Sequence, residues 1–103
     1  MQTLTVANTI LAQLGGNRFV AMTGSKNFMG SEENRDLQFC VGKNDSGINK
    51  CVIYLKGDDT YTVTFYKVAS RGLKVRMIAN FVGVYADQLR SVFETATGMR
   101  TSL

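Results

Sequence analysis

Residues 54–77 read YLKGDDTYTVTFYKVASRGLKVRM. Apolar and polar side chains alternate here with period two, the signature of strands with one wet and one dry face. The breaks are GDD at 57–59 and ASRG at 69–72. Asp bonds its own nearby backbone and Gly reaches turn conformations, so both breaks read as tight turns. Strands are expected over 48–56, 60–68 and 73–81. Connections this short favour antiparallel hairpins, because a parallel return needs a long crossover.

Working outward, 37–41 reads as a further strand before GKNDSG (42–47), and RFVAMT (18–23) as a short first strand. GSKNFMGSEENR (24–35) is expected to be a polar loop carrying Phe28 and Met29. Ala7, Ile10, Leu11 and Leu14 follow the i, i+3, i+4, i+7 spacing of a helix face. Thr3 or Thr5 is placed to cap that helix, and Gly15-Gly16 to end it. A second helix is expected over 86–97, with Leu89, Val92, Phe93 and Ala96 on one face and Gly98 as its stop. Residues 100–103 read as a tail. The order α-β-β-β-β-β-α is that of one α+β domain: a five-stranded antiparallel sheet flanked by N- and C-terminal helices, both on one face. The other face is left to solvent or to a partner.

Composition agrees with a single small domain. The chain has 103 residues, 45% hydrophobic and 19% charged, without histidine or proline. It lacks a run of apolar residues long enough to cross a bilayer, and its first residues carry no basic stretch of the kind that opens a signal peptide. A cytoplasmic protein without membrane contact is the expectation. A formal charge of +4 excludes a polyanionic nucleic-acid mimic. Cys40 and Cys51 are too few for a disulfide framework or a zinc site, and their alternation puts them on opposite faces, so two unbridged thiols are expected.

No catalytic constellation is present in the sequence. The lack of histidine removes Ser-His-Asp and Cys-His chemistry, and with it the most common general base. GKNDSGINK (42–50) lacks phosphate-loop spacing and precedes a strand, so it reads as a hairpin loop. Glu32, Glu33 and Asp36 offer hard oxygen ligands for a cation, but no further acids complete a two-metal site, and they read as a solvated acidic loop. The expectation is a non-enzymatic protein with no cofactor and no metal.

Dividing each strand by face gives the candidate site. Cys51, Ile53, Leu55, Tyr61, Val63, Phe65, Val75, Met77, Ala79 and Phe81 form the core set. The opposite set offers Lys50, Tyr54, Lys56, Tyr66, Lys74 and Arg76 with Thr62 and Thr64, and no acid. Residues 50–76 hold six cations against Asp58 and Asp59, which lie in a turn. Cations attract phosphates and release their counterions, and each exposed aromatic stacks a base for roughly 1–3 kcal/mol. The six residues are therefore candidate contacts for single-stranded or duplex nucleic acid. Lys, Tyr and Thr also suit any solvent-facing strand. Phe28 and Met29 either plug the core under their loop or anchor a protein partner. Val52, Ile78 and the tyrosines of the open face offer a homodimer interface instead.

NTILAQLGGNRFVAMTGSKNF (8–28) and GVYADQLRSVFETATGMRTSL (83–103), with the central YTVTFYKV strand, resemble small uncharacterised proteins encoded by tailed phages and related mobile elements. The resemblance covers nearly the whole chain, while GSEENRDLQFCVGKNDSG (30–47) departs from it. It implies a phage or prophage accessory protein in a bacterial host cytoplasm; a protein-interaction module that inhibits or redirects a host protein complex is the alternative to nucleic-acid binding. It carries no residue role.

Overall fold

The computed structural model describes residues 5–31, 33–69 and 74–101. The expected Thr3 cap, the acid Glu32, Arg71, the strand start at Leu73 and the last two residues lie outside these segments. Helix α1 spans Thr5–Leu14 and α2 spans Asn17–Thr23. The strands are β1 Lys26–Ser31, β2 Asp36–Cys40, β3 Lys50–Leu55, β4 Tyr61–Val68 and β5 Val75–Val84. A 3-10 turn at Ala86–Gln88 leads into α3, Leu89–Thr97. The five strands form one antiparallel meander in the order β1-β2-β3-β4-β5.

The helices pack on one face of this sheet. Ala7, Ile10 and Leu14 of α1, Phe19 of α2, and Leu89 and Phe93 of α3 are buried with Leu37, Phe39, Cys51, Ile53, Val63 and Phe65 from the strands. Burying each large side chain contributes roughly 1.5–3 kcal/mol. The centre is aromatic: Phe93 lies 4.9 Å from Phe19, 6.3 Å from Phe39 and 6.0 Å from Phe65, ring to ring. Gly98 closes α3 in the left-handed conformation and its N–H bonds the Glu94 carbonyl at 2.8 Å. Beyond it the chain stays attached, since Thr101 is fully buried and its N–H donates to Glu94 Oε2 at 2.9 Å.

Two segments differ from the sequence reading. RFVAMT is helical, not a strand. Within it only Phe19 and Thr23 are buried, one helical turn apart, where a strand would bury alternate residues. Gly16, at φ 60, turns the chain into α2, and Gly24, at φ 64, ends it. The segment read as a loop supplies the first strand instead. KNFMGS can be polar and glycine-bearing because an edge strand pairs on one side only. It pairs β2 with a bulge between Lys26 and Met29, where Asn27 takes φ 58.

Asparagines organise the β2–β3 connection. Asn44 Oδ1 accepts from the Ser46 and Ile48 N–H groups, while its Nδ2 donates to the carbonyls of Gly42 and Ile48. Asn49 presents its amide to Val68 like a strand edge, accepting from the N–H at 2.7 Å and donating to the carbonyl at 2.8 Å. Gly42 passes close beneath α2: a Cβ there would meet the Thr23 carbonyl oxygen at 2.3 Å, so only glycine fits.

Tyr61 is buried, and its phenol donates to Gln13 Oε1 at 2.9 Å, tying β4 to α1. Burial raises its pKa above the usual phenol value. A raised folded pKa gives stability that is complete below the unfolded value, about 10, and is lost as pH rises through the folded one. Tyr61→Phe is therefore expected to reduce the loss of stability above about pH 10. Urea midpoints measured against pH for both proteins check this.

Candidate functional site

The helix-free face of the sheet is built by cross-strand rows. Lys26, Cys40, Lys50, Tyr66 and Met77 stand opposite one another along one row, from β1 to β5. Met29, Gln38, Val52, Thr64 and Asn80 form the next. Asp36, Tyr54 and Thr62 form a third. Thr64 Oγ1 donates to Asn80 Oδ1 at 2.7 Å, which holds the Asn80 side chain over this face.

Of the residues predicted from sequence, Lys50, Tyr54 and Tyr66 are brought together here. Lys56 follows β3 beside the turn, exposed, with its N–H bonded to the Thr60 carbonyl at 2.8 Å. Lys74 and Arg76 are not on this face. Phe65 opposes Ala79 but Tyr66 opposes Met77, so Ile78 is an extra residue in β5. An inserted residue reverses which face each later side chain takes. Arg76 then stands opposite Lys67 on the helix side, near the sheet end, and Lys74 shares that side. Val75 and Met77, expected in the core, turn to the open face and are 61% and 57% exposed.

The face also carries an acid, contrary to the sequence reading. Asp36 belongs to β2, where it opposes Tyr54, and it is buried, with Gln38 Nε2 at 3.4 Å from Oδ2. Of the other carboxylates weighed for a cation, Glu33 is exposed and Glu32 is outside the described residues. No cluster of three metal-ligating side chains occurs among the described residues.

Phe28 and Met29 separate. Phe28 stacks on Phe39 at 5.0 Å and joins the core, whereas Met29 stands on the open face, 69% exposed. The sequence reading missed Lys26, Cys40, Gln38 and Val68. With Met29 and Lys50 these line a groove of about 470 Å³ at the β1–β3 side of the face. Both cysteines are unbridged: Cys51 is buried and Cys40 half-buried, on opposite faces as expected. Asn27 Nδ2 lies 3.6 Å from the Cys40 sulfur.

No helix among the described residues is long and apolar enough to cross a membrane. The chain matches no family model, no curated protein and no solved structure.

Proposed function

We propose that the chain is a non-enzymatic interaction module that holds a protein partner against the open face of its sheet. One observation carries this reading: Met29, Tyr54, Val75, Met77 and Val82, most of the large exposed apolar side chains, gather on the face without helices. Apolar side chains clustered on one face mark contact surfaces, and aromatics and Met are enriched at the centres of interfaces. The resemblance to phage accessory proteins supports a host protein complex as the target.

Tyr54→Ala with Met77→Lys removes one anchor and charges another, both exposed, so the fold is expected to be retained. Loss of an interface anchor costs about 2 kcal/mol, roughly 30-fold in affinity. The wild-type chain is expected to recover a stoichiometric protein from nuclease-treated bacterial lysate, and the double variant to lose it. Equal recovery by both, or none by either, rejects the reading.

A second reading, single-stranded nucleic acid on the same face, has its own support. Lys50 and Tyr66 are direct cross-strand neighbours, with Lys26 in the same row and Tyr54 on the same face. Anisotropy titrations of labelled oligonucleotides at two salt concentrations separate it from the first. Phosphate contacts to the lysines give oligonucleotide binding that weakens steeply with salt.

A further inference from the structure

Strand β5 is ten residues long and ends the sheet order, so one of its backbone edges meets no described strand. Which groups point outward follows from its pairing. The Ala69 N–H donates to the Lys74 carbonyl at 2.9 Å, so positions 74 and 76 turn toward β4 and positions 75 and 77 turn away. The extra residue at Ile78 shifts the phase: Ala79 and Phe81 turn toward β4, while Asn80 and Val82 turn away, Val82 just ahead of a second irregularity at Gly83, φ 65, where two residues of β5 oppose Thr62. The outward backbone groups therefore belong to Val75, Met77, Asn80 and Val82, and the same four residues put their side chains on the open face.

We propose that β5 pairs antiparallel with the β5 of a second copy of this chain, joining two sheets into one. These four positions match under that operation. Laid antiparallel on itself, the strand sets Val75 against Val82 and Met77 against Asn80, with hydrogen-bonding edges facing and side chains on one common face. Without the extra residue at Ile78, residues an odd number of positions apart would point to opposite faces and could not pair so. The charges fit as well. From Met77 to Val84 the strand has none, while Lys74 and Arg76 fall at opposite ends of the pair. Each Arg76 would lie beside Phe81 of the other copy, roughly 17 Å along the strand from its own equivalent. That exceeds the Debye length of about 8 Å in physiological salt. The opposite edge of the sheet is shorter, since β1 has six residues against the ten of β5, and it opens on Lys26. The match of register, face and charge to itself is what selects a second copy over a foreign strand. Such a two-fold pair leaves the open face available to the partner proposed above.

Light scattering over a dilution series tests this. The wild-type chain is expected to reach twice the 11.3 kDa of one chain. V75K/V82K sets lysine against lysine in both outer pairs and is expected to hold the mass at one chain. V75K/V82E sets lysine against glutamate and is expected to restore two. Tyr54→Lys, at the centre of the open face, is expected to leave the dimer intact. Backbone amides at 75, 77, 80 and 82 of the wild-type chain should gain exchange protection with concentration. A wild-type mass of one chain throughout, or a dimer that survives V75K/V82K, overturns the proposal. So does V75K/V82E remaining a monomer, or a Tyr54→Lys chain that falls to one.

Discussion

Phe93→Ala is expected to lower the stability of this domain by about 3–5 kcal/mol. Phe93 is 1% exposed and packs against Phe19, Phe39 and Phe65. Those rings come from α2, β2 and β4, so one side chain on α3 joins both helical segments to the sheet. Truncation removes the transfer free energy of the ring and leaves a cavity that three other rings cannot close without leaving their rotamers. A domain of this size holds only about 5–15 kcal/mol in total, so the variant is left marginal. Urea denaturation should show a lower midpoint with an unchanged slope, since the surface exposed on unfolding is nearly the same. Phe93→Leu, which refills much of the volume, should lose less. A loss under about 1 kcal/mol for the alanine variant would mean that α3 does not pack as described.

The parts of the fold that were legible in the sequence are those where one periodicity runs uninterrupted. Cys51, Ile53 and Leu55 alternate cleanly against Tyr61, Val63 and Phe65, and the pairing of β3 with β4 follows that register without a break. The same holds for α1 and α3, whose apolar residues repeat at helical spacing. Residues 18–23 failed because a short segment with a four-residue apolar run, 19–22, fits either period. Only the spacing of Phe19 and Thr23, four apart, favours a helix. Strand β1 failed because an edge strand with a bulge and a glycine has the composition of a loop. Both errors left the strand count at five, since one gained strand replaced one lost.

The site was less legible than the fold, and most of the difference comes from one residue. In VRMIANFV the apolar side chains at 77, 78 and 79 are consecutive. Strict alternation assigns Arg76 and Asn80 to one face, while the extra residue at Ile78 separates them. The run of three apolar residues is the trace the bulge leaves, and it is weak, because a fully buried strand shows the same run. Its consequence is large. Lys74 and Arg76 leave the tyrosine face, Val75 and Met77 enter it, and a surface that read as basic becomes largely apolar with Lys26 and Lys50 in a row beside Tyr66. Asp36 was misplaced for a different reason. It ends a run of charged residues and reads as loop, yet it opens β2.

The two thiols are expected to differ in reactivity by a factor on the order of 10³ or more, because one is reached from solvent and the other only through unfolding. Cys40 is half-buried on the open face. Cys51, on the next strand, has no exposed surface and stands opposite Phe39 and Phe65. Burial pushes its thiol pKa far above the usual value, so the thiolate that attacks alkylating reagents is absent from the folded state. A disulfide reagent should therefore modify one thiol per native chain promptly. Cys51 should follow at the rate seen in denaturant multiplied by the unfolded fraction, as long as refolding outruns labelling. The same shift has a pH signature. In the unfolded chain Cys51 ionises near pH 8.5, while in the folded chain it stays protonated. Its contribution is complete below that value and is lost as pH rises above it, so stability falls through the mildly alkaline range. Cys51→Ala should lower stability at neutral pH, where it opens a small cavity, and flatten that alkaline decline. Mass spectrometry of tryptic peptides after timed alkylation separates the two sites. Equal native labelling of Cys40 and Cys51 would place Cys51 outside the core and shift the register of β3, on which the composition of the whole open face depends.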